Sequence, residues 1–208
     1  MSASDEEIEK LKAKIKHELE PFINKILRMS DEDLLEFREE YKKFDEKCKD
    51  SLLLIMSFSL ESDVKTLRTS IKEQIFLLYE YLGMVESVGD IIVNFLVMLL
   101  VANGKDFHIN APRIKHVYSL DDLEKTYVPL GHKLEFLRYY GIKTIPSIID
   151  SNLRNDIAHF NFKIEKDKVT IRGKEVWEVV YPNLIKMNGA VEAVAFEVFR
   201  TLEEELGW

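Results

Sequence analysis

The run from Ile91 to Ala102 constrains the fold before anything else, because Asn94 is its only residue that is not apolar. At 12 residues it is too short to cross a bilayer, which takes about 20 residues as a helix. It reads instead as a helix buried on all sides within a bundle. Helical spacing extends backwards from it, with Ser62-Asp63 as an N-cap, so the helix can run from Val64 through Leu100. Gly83 and Gly89 are points of interruption, and Asn103-Gly104 supplies the stop.

The remaining segments read as amphipathic helices that can enclose such an element. Ile8, Leu11, Ile15, Leu19, Phe22, Ile26 and Met29 recur at three or four, with a break expected near Pro21. Ser30-Asp31-Glu32-Asp33 forms an N-cap with an acidic first turn, and Phe37, Tyr41, Phe44, Cys48, Leu52 and Ile55 follow on one stripe. These two helices are expected to pack as an antiparallel pair, giving a helical hairpin extension over residues 1–61 ahead of a main helical domain over 62–208. Pro129 opens a helix that ends at Gly141, and Thr144 and Pro146 are expected to begin the helix that carries Arg154 and His159. A short helix capped by Ser119 is expected in the irregular stretch between 104 and 128. A final helix from about Asn183 to Leu206 presents Leu184, Met187, Val191, Val194, Val198 and Leu202. The fold class is all-α, a helical bundle with one small β insertion.

That insertion follows His159, where the period changes. Phe160, Phe162 and Ile164 alternate, Lys166-Asp167 make a turn, and Val169, Ile171 and Val176 alternate again, which predicts a β-hairpin over about 160–177. It carries Lys163, Lys166, Lys168, Arg172 and Lys174 against Glu165, Asp167 and Glu175. The net charge of the chain is −8, and residues 1–50 carry 15 of the 37 acidic side chains. A generally basic nucleic-acid surface is excluded, and any RNA contact has to be local. The five hairpin cations are the candidate RNA-binding edge, with a structural flap as the plain alternative. Trp177 and Tyr181 can stack on bases, although packing into the core is the commoner fate of such residues. Lys105, Arg113 and Lys115 are further candidate phosphate contacts, for which surface solubility is an equal account.

A single cysteine, Cys48, rules out an intramolecular disulfide and a Cys-based zinc site, in keeping with a reducing cytoplasm. His108 and His116 are eight apart without a flanking ligand pattern, so no metal is expected. The acidic start from Met1 to Glu7 lacks the apolar core of a signal peptide, so a cytoplasmic location is expected, with no membrane partner.

Chemistry concentrates in Leu153-Arg154-Asn155-Asp156-Ile157-Ala158-His159-Phe160. At about 100° per residue, Ile149, Leu153, Ile157 and Phe160 form a core stripe. Arg154, Ala158, Asn155 and His159 spread over an arc from about 100° to about 240° away from Leu153. Imidazole exchanges protons near neutral pH and guanidinium offers a planar fork to phosphate oxygens, so Arg154 and His159 are candidate catalytic residues. Asn155, four residues before His159, can orient the ring or hold a hydroxyl. A solvated helix face is the plain reading of the same arc. Glu80, Glu86, Asp90 and Asn94 interrupt the apolar face of the long helix. Ordinary exposure is the simpler account of them, and the functional one has a carboxylate pairing with Arg154 or orienting His159.

Arg154-Asn155-x-x-x-His159, late in a helical chain and followed by an extended segment, resembles the Arg-polar-x-x-x-His motif of HEPN-domain proteins, over roughly residues 64 to 206. The resemblance implies a helical bundle that forms a homodimer through the motif helices, brings two motif copies into one cleft and cuts RNA with no metal or other cofactor. Carried over by position, Arg154 and His159 match the catalytic pair and Asn155 the polar residue. An antitoxin or other regulatory protein is a partner of some members. Members paired with a nucleotidyltransferase antitoxin often carry Tyr two places after the His, where this chain has Asn161. The expected activity is endoribonuclease, and the alternative is a noncatalytic module in which the same arc binds a nucleotide or RNA or packs a dimer.

Overall fold

The computed structural model describes residues 5–57, 68–105, 107 and 128–207. The expected Ser62-Asp63 cap, the short helix after Ser119, and His108, His116, Arg113 and Lys115 lie outside the described residues. In chain order the elements are α1 (Asp5–Ile26), α2 (Asp31–Ser57), α3 (Ile71–Val88), a π-turn (Gly89–Val93), α4 (Asn94–Ala102), α5 (Leu130–Tyr139), α6 (Thr144–Ile148) and α7 (Ser151–Ala158). Three short strands follow, β1 (Phe162–Ile164), β2 (Val169–Ile171) and β3 (Lys174–Glu175). The chain closes with α8 (Val176–Val191), a second π-turn (Glu192–Val198) and α9 (Phe199–Leu206). The architecture is mostly helical with one small antiparallel sheet.

The centre is the continuous rod made by α3, its π-turn and α4. Ser70 caps it, accepting from the Glu73 N–H at 3.3 Å, and every residue from Phe95 to Leu100 is buried. The rod is long and apolar enough to cross a membrane, yet 82% of its apolar window is buried inside the protein. Two polar groups along it are bonded from neighbouring helices. Asn94 lies buried with its Oδ1 accepting from Lys133 Nζ of α5 at 2.7 Å. Lys25 of α1 donates to the Asn103 carbonyl at 2.6 Å where the rod ends.

The outer helices pack according to their stripes, with different partners from those expected. Helix α1 lies chiefly on α8 and the second π-turn, while α2 lies on α3 and the first π-turn, so each finds its main partner outside the proposed hairpin. Ile15, Leu19, Phe37, Tyr41 and Phe44 from these two helices belong to the same buried cluster as the rod. Aromatic rings tie it together, with Phe95 4.3 Å from Phe199 and 5.4 Å from Phe44 between centroids. Helix α1 continues through Pro21 to Ile26. Gly189 of α8 lets α1 come close, since a Cβ there would sit 2.9 Å from Ile8 Cγ2. Glu18 of α1 caps α6, accepting from the Lys143 and Thr144 N–H groups at 2.9 Å each and from the Thr144 hydroxyl at 2.7 Å.

The sheet is larger than a hairpin. Its order is β1-β2-β3, with Phe162 opposite Ile171 and Ile171 opposite Lys174. Arg172 and Gly173, both at positive φ (53° and 74°), make the two-residue turn between β2 and β3, the backbone shape that matches the twist of a tight hairpin. Gln74 of α3 anchors the sheet: its buried Oε1 accepts from the Val169 N–H at 2.6 Å. Val176 does not extend the alternation but opens α8, which runs through Pro182 and includes Trp177 and Tyr181. The Asn183 amide donates to the Val179 carbonyl at 3.0 Å in the turn containing the proline.

Among the described residues of the rod, Glu80 is a buried carboxyl. Burial of Glu80, with Glu73 adding repulsion, raises its carboxyl from 4.5 to about 7. The folded chain therefore binds a proton there that the unfolded chain has released between pH 4.5 and 7, so this group lowers stability as pH rises through that window and adds no further change above it. Glu80→Gln should abolish that slope and leave the protein more stable than wild type at pH 8, by on the order of 3 kcal/mol at about 1.4 kcal/mol per pKa unit. Urea unfolding of both proteins at pH 5 and pH 8 checks it, and parallel pH dependences would refute it.

Candidate active site

The motif helix is a separate short helix rather than the continuation of α6. Ile149 and Asp150 turn extended (ψ 99° and 89°), and the Asp150 carboxylate caps α7 by accepting from the Leu153 N–H at 2.8 Å. Ile149, Leu153 and Ile157 are buried as the expected stripe, against α3. The buried Tyr81 hydroxyl donates to the Asp150 carbonyl at 3.3 Å. Burial pushes that phenol far above its usual range, which keeps it a donor.

The other end of α7 sets His159. His159 is the C-cap, its N–H donating to the Asn155 carbonyl at 2.9 Å. Phe160 N–H reaches the Ile157 carbonyl at 3.1 Å and Asn161 N–H the Asp156 carbonyl at 2.7 Å, the paired bonds of a Schellman ending. That ending needs a left-handed residue, and Phe160 occupies it at φ 57°. Phe160 is consequently 67% exposed and leaves the core stripe the wheel gave it, because the helix stops one residue earlier. His159 is exposed beside it.

Arg154 is held by two acceptors. Its Nε donates to Glu86 Oε1 at 2.6 Å, its Nη2 makes an ion pair with the same oxygen, and its Nη1 donates to Asn155 Oδ1 at 3.1 Å. Glu86 comes from α3, so simple exposure does not describe this carboxylate. The structure thus joins Arg154 and Asn155 by a direct bond and leaves His159 at the helix end, with its ring facing solvent.

Among the hairpin cations, Lys163, Lys166 and Lys174 are exposed, while Lys168 lies 3.8 Å from Glu165. Arg172 points back at the motif helix. It donates from Nη1 to Asp150 at 3.0 Å and from Nε to Asp156 at 2.7 Å, and Asn161 Nδ2 approaches Asp156 at 3.4 Å. The guanidinium beside Asp156 holds that carboxyl below its ordinary value of 3.8. Sequence reasoning missed this clamp, for which Asp150 before the motif and Asp156 within it were the available signal. Among the described residues no group of three or more His, Cys, Asp or Glu is placed to hold a metal ion. No family model, no curated protein and no solved structure matches the chain.

Arg172 links β2 to both ends of the motif helix, so Arg172→Ala should loosen α7. Melting should fall by about 2–4 °C, as for a loss near 1 kcal/mol in a chain of this size. The Asp156 carboxyl, whose depressed value supports the fold above pH 3.8 and ceases to do so as pH falls through the folded value, should move back up towards 3.8 in an NMR titration. An unmoved Asp156 would show that the clamp is absent in solution.

Proposed function

We propose that this protein is a metal-independent endoribonuclease of HEPN type. The observation that carries the reading is the guanidinium of Arg154 on the short helix that ends in the exposed His159, steadied by Asn155 beside it and by Glu86 of α3. A general acid-base group and a fixed cation are what phosphodiester transfer needs. In the proposed reaction His159 removes the proton of a ribose 2′-OH, and O2′ attacks the adjacent phosphorus. Arg154 stabilises the charge that grows on the phosphorane-like transition state, and the P–O5′ bond breaks as an imidazolium protonates the leaving oxygen. The products are a 2′,3′-cyclic phosphate and a 5′-hydroxyl. Lys163, Lys166 and Lys174 provide local positive charge along the neighbouring sheet.

One imidazole cannot readily serve both faces of the phosphate. A homodimer that opposes two motif helices supplies a second one. Support comes from α3, which exposes Phe76 (56%) and, two turns before Glu86 on the same face, Tyr79 (50%). Apolar side chains left exposed on the helix that carries Glu86 suit a second copy of this chain.

Incubated with RNA in EDTA, the protein should cut it and leave cyclic phosphate ends. His159→Ala should lower the rate by about 10²–10⁴-fold, measured by gel assay with end-group analysis. Absence of cleavage, or cleavage indifferent to His159→Ala, would leave the noncatalytic nucleotide- or RNA-binding reading in its place.

The shared cleft is tested by titrating His159→Ala into wild-type chains and refolding them together. Because the composite site uses an imidazole from each copy, mixed dimers hold only one and should be inactive. Activity should fall as the square of the wild-type fraction, and a linear fall, or a monomer by light scattering at assay concentration, would refute the arrangement.

A further inference from the structure

Resting on that reading, we propose that Glu86 is a positioning residue that presents Arg154 end-on to a phosphodiester. Arginine has five N–H donors, one on Nε and two on each terminal nitrogen. Glu86 takes the Nε proton and one from Nη2, and Asn155 takes one from Nη1. One donor therefore remains on each terminal nitrogen, and with Asn155 holding the Nη1 proton on the Cδ side the two are parallel and spaced to meet two nonbridging oxygens of a phosphate. The carboxylate occupies the side of the fork, so substrate need not displace it.

The arrangement also explains why the acceptor stands on another helix. An arginine on an eight-residue helix, bonded only to its neighbour Asn155, would sample many rotamers, and ordering it on substrate binding would oppose catalysis. Glu86 lies 68 residues away in sequence, on the rigid rod, and fixes the guanidinium relative to the core. The Arg154 and Glu86 side chains are 35% and 47% exposed, so the pair contributes little to stability and its removal should leave the fold intact. Its effect should be on where the charge sits. A carboxamide at position 86 keeps an oxygen able to accept from Nε, whereas alanine keeps none.

Glu86→Ala and Glu86→Gln separate geometry from charge. For cleavage of a mixed-sequence oligoribonucleotide, Glu86→Ala should lower kcat about tenfold to a hundredfold with KM little changed, and Glu86→Gln should restore most of it, both variants melting with wild type. Glu86→Ala at or above wild-type activity would show that the carboxylate is a brake on Arg154, and an equal loss in Glu86→Gln would show that charge rather than position is required. Either overturns the proposal. A second readout does not depend on activity. The Arg154 Nε–H signal, assigned by its loss in Arg154→Lys, should be slow to exchange in wild type and Glu86→Gln and fast in Glu86→Ala. Persistence of the slow signal in Glu86→Ala refutes positioning by Glu86 even if the wild-type protein cuts no RNA, while failure of cleavage with the expected NMR pattern refutes only the ribonuclease reading.

Discussion

From Ile91 through α4 the central rod has almost no polar side to give to water, and the rest of the chain is arranged to cover it. From Ile91 to Leu100 every residue is buried, so the free energy of removing this surface from water can be realised only when helices close around it from several directions. That explains why α1 and α2 separate to different partners instead of pairing mainly with each other: two stripes facing one another would leave the rod bare. It also explains the π-turn at Gly89–Val93. The extra residue shifts the face presented by α4 relative to α3, and Gly89 lets Leu130 approach, a Cβ there meeting Leu130 Cδ1 at 3.1 Å.

The same rod fixes the candidate site. Helix α7 has eight residues, too few to be stable alone in water. Leu153 and Ile157 seat it on α3, Asp150 closes its first turn, and Tyr81, Glu86 and Arg172 bind it from outside. Gln74 holds β2 to the same face of the rod. The motif is therefore framed by groups from α3 and the sheet, and a change in the rod's packing is transmitted to Arg154 through Glu86.

Much of the helical architecture was legible because burial imposes a 3.6-residue period on the sequence itself. The stripes through Ile15 and Leu19, Tyr41 and Phe44, and Leu184 and Met187 all point inwards. The alternation after His159 also marked β1 and β2. What the period could not show were the ends and the long-range bonds. The break at Ile149–Asp150 depends on one capping carboxylate, and the exposure of Phe160 depends on a Schellman ending in which phenylalanine takes the place usual for glycine. Val176 continued the alternation of the strands, yet it is also the first buried position of α8, whose stripe with Val180 and Leu184 outweighs the proline at 182. Bonds such as Gln74 to Val169 and Glu18 to Thr144 span 95 and 126 positions, and no local pattern encodes them. The Arg154–Glu86 pair belongs to that class: the chemistry of each residue was visible, their meeting was not.

The proposed function asks an acidic chain to hold a phosphate, and for that its few useful cations have to escape quenching by its own carboxylates. Both arginines beside the motif are paired, but in different ways. Arg172 is gripped by two carboxylates on α7 and its cap, so its charge is spent on holding the sheet against the helix. Arg154 meets one carboxylate along one edge, in a partly exposed site where water screens the attraction. Its remaining donors are taken by neither Glu86 nor Asn155, and under the proposed function an incoming phosphate would add to the pair rather than compete for the same protons. Arg172 thus holds the sheet to the motif helix and, under the proposed function, Arg154 is the one left to meet a substrate, although the two lie 18 positions apart and carry the same group.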